Sequence, residues 1–241
     1  MKKKNIAVIG AGYWGRSLVI RLSILKAILP EWLKEPIKNF LNDRRDRKNC
    51  IKFQRKSFLP LPHIVKVNRI LKAATKHQVK VLVETGTFEG ETVRKCSKHF
   101  ERIYSIELSP LFAARAIKRF RKGKHIKIFQ GNSADVLPLL LEQIQEKCLF
   151  WLDAHYSGGR TARGTTETPL SKELLVINEH PQKDHVILID DARCLGQDDY
   201  PTLEELTDIL LKINPKYCIS VRDDIVFCEP PLPSDKNPYE E

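Results

Sequence analysis

The stretch Val79-Lys-Val-Leu-Val-Glu84-Thr-Gly86-Thr-Phe88-Glu-Gly90-Glu-Thr92 decides the fold. Its opening predicts a strand over 79–84, and the turn after it leads into a helix through Val93, Cys96 and Phe100. Gly86 lets the turn come close to a ligand and Gly90 opens the helix, while Glu84 at the strand tip offers a carboxylate to a cationic group.

Working outward, the same alternation of short β-rich runs and helical periods continues. Strands are expected at 102–107, 126–130, 148–153 and 186–190, with helices through Phe112, Ala116 and Phe120, over 134–145, over 169–178, and through Leu203, Leu206, Leu210 and Ile213. Two last strands, 217–221 and 225–228, flank Arg222-Asp223-Asp224 at hairpin spacing. Five βα units closed by such a hairpin give an α/β fold: a doubly wound, mostly parallel, seven-stranded Rossmann-like sheet with an antiparallel C-terminal hairpin. Ligands of such sheets sit beyond the carboxyl ends of the strands.

The tips of the next strands carry matching chemistry. The second ends Ser105-Ile-Glu107-Leu108, placing an acid where it can accept both hydroxyls of a ribose. The third ends Gln130-Gly131-Asn132-Ser133-Ala134-Asp135, short polar residues that cap a helix and can line an adenine edge. With Glu84, Gly86, Phe88, Gly90 and Thr92 in order, residues 64–230 resemble class I S-adenosylmethionine-dependent methyltransferases. The loop has Phe88 in place of the middle glycine, which is similar to the catechol O-methyltransferase branch. The resemblance implies S-adenosylmethionine as cofactor, held by Glu84, Gly86, Thr87, Phe88, Gly90, Glu107, Leu108, Asn132, Ser133 and Asp153.

Strand four ends Trp151-Leu-Asp153-Ala-His155 and strand five Ile189-Asp190-Asp191-Ala-Arg193. Asp153, Asp190 and Asp191 at one sheet edge would repel strongly unless something positive lies among them. A hexacoordinate Mg²⁺ completed by waters and two acceptor oxygens is one answer; capping of the next loop and pairing with Arg193 is the other. The catechol branch implies these three acids as the metal ligands, and a metal-activated hydroxyl attacking the sulfonium methyl. The lysine of that branch has no clear counterpart, so Asp153 and His155 are the expected catalytic residues, with His155 as base. The polar, Gly-rich run 157–169 reads as a lid, and Arg160 and Arg163 are placed to clamp a carboxylate or phosphate.

The first 63 residues read as a separate, basic extension. Residues 1–70 hold 17 Lys and Arg against 4 Asp and Glu, whereas residues 71–241 hold 24 against 26. The net charge of +11 thus belongs to the N-terminal third. That extension suits an anionic membrane surface or a partner subunit, while the near-neutral remainder ranks nucleic acid below a small hydroxylated molecule as substrate. Pro30 and Pro36 are expected to break its helix. Residues 5–15, with Gly10, Gly12 and Gly15, resemble the start of glucose-fructose oxidoreductase-type dehydrogenases, but no second strand ending in an acid follows. The fragment reads as vestigial, the alternatives being an NAD(P) site or a non-catalytic binding domain. Six dispersed cysteines and no membrane-length apolar run point to a cytoplasmic protein, with residues 231–241 as a tail and the oligomeric state left open.

Overall fold

The computed structural model describes residues 30–55, 60–153 and 168–232. The chain divides into two units, residues 1–51 and 52–241. The Gly10–Gly15 motif, His155, Arg160, Arg163 and most of the C-terminal tail lie outside the described residues.

In the second unit, helix α2 (His63–Lys76) precedes β1 (Val81–Thr85), α3 (Glu91–Cys96), β2 (Arg102–Glu107), α4 (Pro110–Phe120), β3 (Ile126–Gln130) and α5 (Ser133–Leu141). Then come β4 (Cys148–Leu152), α6 (Leu170–Glu179), β5 (Val186–Ile189), α7 (Leu203–Ile213), β6 (Cys218–Arg222) and β7 (Ile225–Glu229). Helix α1, Glu31–Arg55, comes before all of these and runs through Pro36 without a break. Pro36 removes one amide donor from an early turn, and the Lys, Arg, Leu and Asn residues that follow carry the helix on, so the expected break does not occur.

The sheet order is β3-β2-β1-β4-β5-β7-β6, with β7 antiparallel to both β5 and β6 and all other pairs parallel. This is the doubly wound sheet with its antiparallel hairpin. The hairpin turns on Asp223 and Asp224, both at positive φ (53° and 59°), the mirror-image geometry that matches strand twist. Strands β1, β4, β5 and β7 are buried along their whole length, as expected of a sheet covered on both faces. One face packs Val83, Phe150, Leu152 and Ile187 against Leu137, Leu174 and Leu210 of the later helices. The other packs Leu82, Leu149, Trp151 and Leu188 against Val67, Ile70 and Val93.

Element ends are fixed by local chemistry. Asn132 caps α5 by accepting the Ala134 amide at 3.0 Å. That helix stops at Leu141, short of the expected 145, because the amides of Gln143 and Ile144 bond three residues back, to Leu140 and Leu141. Thr202 and Glu205 form a reciprocal capping box on α7. Strand order reverses between β1 and β4, whose neighbours lie on opposite sides, and there a doubly wound sheet opens a crevice.

Candidate active site

The register of the sheet brings the strand tips level at this crevice. Thr85 stands opposite Leu152, and Leu152 opposite Ile189. The next amides continue the ladder: Asp153 N donates to Thr85 O at 3.1 Å and Asp190 N to Leu152 O at 3.0 Å. Gly86 N donates to Ile106 O and Gly131 N to Glu107 O, both at 2.9 Å. The first residues past β1, β3, β4 and β5 are therefore held at the same edge.

The loop after β1 curls through three positive-φ residues, Gly86 (90°), Phe88 (47°) and Gly90 (73°). Gly90 is also confined, since a Cβ there would lie 2.7 Å from the Phe120 ring. Phe88 adopts a conformation that costs a bulky residue energy, offset in part by its ring contact with Phe112 at 4.6 Å between centroids. In that pose the Phe88 amide donates to the Glu107 carboxylate at 2.6 Å, and the Ser109 amide donates to its other oxygen at 2.8 Å. Two main-chain donors fix Glu107 at the tip of β2, and each of its oxygens has lone-pair capacity left for a diol.

Glu84 is placed differently from the expectation. Residues alternate faces along β1, so its side chain shares a face with Leu82 and is only 1% exposed. Ser105 donates to it, and Thr87 bonds Ser105 in turn. Burial raises the Glu84 pKa to about 8 against the pull of Ser105 and Thr92, with the charges of Asp153 and Glu107 adding to the rise. Thr85 turns to the opposite face, where it meets Ser133 and Glu173. The hydroxyls of Thr85 and Ser133 and one Glu173 oxygen are buried without a hydrogen-bond partner. Burial raises Glu173 to about 7.

The tips of β4 and β5 gather Asp153, Asp190 and Asp191, each with a carboxylate oxygen within 4.8 Å of the others. Asp191 sits in left-handed backbone (φ 55°) where the chain enters the short turn Ala192–Cys194. The crowding is met by the protein's own cations. Lys66 of α2 forms an ion pair with Asp190 and lies 3.5 Å from Asp191 Oδ1; Arg193 pairs with Asp191 at 2.6 Å and also with Asp224. Burial pushes the Asp190 pKa up, with Asp153 adding to it and Lys66 opposing. Burial lowers that of Lys66, but Asp190, Asp153 and Asp191 outweigh it, and the ammonium keeps the proton. Tyr200, its pKa raised by burial, bonds Thr168 and stands in the field of Asp191 and Asp153.

The structure thus assembles at one edge Gly86, Thr87, Phe88, Gly90, Glu107, Leu108, Asn132, Ser133, Asp153, Asp190 and Asp191. The sequence reading missed Lys66, Glu173 and Tyr200. Lys66 is 124 positions from Asp190, and within its own helix it reads as an ordinary exposed lysine. The pairing of Arg193 was foreseen as the alternative to a metal.

No family model matches the chain, and no curated protein matches it. Solved structures do. A methyltransferase of Podospora anserina, PaMTH1, with S-adenosylhomocysteine bound, aligns over 93% of this chain and 100% of its own at 12% identity and a TM-score of 0.50. The O-methyltransferase TomG from Streptomyces achromogenes, in complex with S-adenosylmethionine, aligns over 77% and 89% at 13% identity and a TM-score of 0.48. At such identities the likeness is one of fold: this chain has the Rossmann-like methyltransferase fold.

Proposed function

We propose that the chain is a class I S-adenosylmethionine-dependent methyltransferase that methylates a hydroxyl of a small acceptor, with a divalent cation assisting at Asp153, Asp190 and Asp191. The observation that carries the reading is Glu107, fixed as a two-oxygen acceptor by the amides of Phe88 and Ser109 at the tip of β2, one strand from the switch point. Glu107 holds the ribose, the loop from Gly86 through Gly90 packs along the methionine moiety, and Asn132, Ser133 and Leu108 border the adenine. PaMTH1 carries the demethylated cofactor, which agrees with this reading of a common fold.

The three aspartates form an oxygen-only donor set of the kind hard cations prefer, which favours Mg²⁺ or Mn²⁺ over Zn²⁺. When bound, the ion lowers the pKa of an acceptor hydroxyl. His155 accepts the hydroxyl proton, the acceptor oxygen forms its bond to the methyl carbon, and the carbon–sulfur bond breaks to leave a neutral thioether. Asp153 stands at the junction of the cofactor and acceptor sides and orients both. The near balance of charge over residues 71–241 favours a small acceptor over nucleic acid.

Incubating the full chain with methyl-labelled S-adenosylmethionine and a metabolite extract tests the reading. Label is expected in small molecules and should fall away with excess chelator. Label confined to RNA or protein contradicts the acceptor class, and turnover undiminished by chelator contradicts the metal.

A further inference from the structure

Lys66 is held on a helix whose backbone has little freedom, because Val65, Val67 and Ile70 on either side of it are buried. Its side chain is 15% exposed, and it reaches an Asp190 carboxylate that is fully buried. The ammonium takes up a lone pair of Asp190 Oδ2, sits 3.5 Å from Asp191 Oδ1, and is stabilised by the charge of Asp153. One protein cation therefore addresses all three carboxylates proposed as metal ligands.

An ammonium and a divalent ion compete for this cluster. Both need the outward lone pairs of Asp190, and two cations about 4 Å apart repel strongly where water is scarce. The lysine has the means to leave, since its four-carbon stem can carry the charge out to solvent while the helix stays in place.

We propose that Lys66 is the resident counter-ion of this site: it holds Asp153, Asp190 and Asp191 together while no metal is bound, and it must release Asp190 before a divalent cation can enter. The proposal rests on the metal part of the reading above and adds to it that cation affinity is set by competition with a lysine. Binding by the wild type is then weak, and a cation enters fully only when Lys66 finds another place for its charge.

The test is direct titration with Mn²⁺ alone, followed by the loss of the free-ion paramagnetic resonance signal, on wild type, Lys66→Met and Lys66→Gln. The glutamine variant keeps length and a hydrogen-bond donor without the charge, and serves if the methionine variant does not fold. Binding of S-adenosylhomocysteine by each variant checks that the cofactor half is intact. Removing the charge is expected to tighten Mn²⁺ binding at least tenfold, and adding Asp190→Asn should erase the gain. It should also make the variants' thermal midpoint rise more on Mn²⁺ addition than that of the wild type. Equal or weaker binding by both variants overturns the competition and leaves the metal site standing. Mn²⁺ binding by none of the three proteins overturns the metal site and the competition together.

Discussion

The two halves of the crevice treat their carboxylates in opposite ways. At the tips of β1 and β2, Glu84 and Glu107 are met by neutral donors: the Ser105 hydroxyl on one, the Phe88 and Ser109 amides on the other. At the tip of β5, Asp190 and Asp191 are met by whole charges, Lys66 and Arg193. Two amide dipoles fix the Glu107 carboxylate in place and leave it able to accept a ligand's hydroxyls, while Glu84 is buried, so the first half is preorganised. Full charges already satisfy the second half, and a cation can bind there only by exchange. Position alone, the end of a strand beside the switch point, does not decide what an acid does; the kind of donor facing it does.

The sharpest way to break this contrast is Asp190→Ala. If the halves are independent, turnover should fall at least 100-fold while S-adenosylhomocysteine binding stays within about twofold. Removing one partner of a buried pair should also cost about 2 kcal/mol, less than the full penalty because Asp191 and Asp153 remain beside Lys66. Kinetics, calorimetry and urea unfolding on one preparation separate the three. A comparable loss of cofactor binding would show that the halves are coupled.

Gly90→Ala strains the first half alone. It forces a side chain into left-handed backbone and against the Phe120 ring, which should lower stability by about 2 kcal/mol and weaken cofactor binding. Mn²⁺ affinity should not change; a parallel loss would mean that the loop reaches the aspartates.

The smallest effect is a pH dependence. Burial places Glu84 near pH 8 in the folded chain, against an ordinary value of 4.5. The folded state therefore keeps a proton that the unfolded state has lost, so this contribution is full below about 4.5 and disappears as pH rises through 8. Between pH 7 and 8.5, unfolding free energy should drop by about 1 kcal/mol, and Glu84→Gln should remove most of the drop. An unchanged slope in that variant would mean that Glu84 is ionised, with a cation near it.

Much of the first half was legible in the sequence because its chemistry is local. Loop, capping residue and acid follow one another along the chain: Gly86 to Gly90, Glu107 with Leu108, and Asn132 with Ser133. The hairpin was legible for the same reason, as the short run Arg222-Asp223-Asp224 between β runs. The second half was legible in its acids and in Arg193, two residues from Asp191. Its distant members arrive through tertiary packing, the Lys66 ammonium from a helix ahead of the sheet and the Tyr200 phenol from beyond β5, and no spacing rule connects them to Asp190. Glu84 was misplaced by one step of strand alternation, because a strand tip read from sequence does not show which face its last residues take. Glu173 gave no signal, since an acid in the first turn of a helix ordinarily faces solvent.

The most direct test of the central claim is calorimetric titration of S-adenosylhomocysteine into the full chain and its Glu107→Ala variant. The expected result is one site per chain in the wild type and affinity at least 100-fold weaker in the variant, with thermal unfolding of the two proteins within a few degrees. No binding by the wild type, or equal binding by the variant, would contradict the assignment of these strand tips as a nucleoside site.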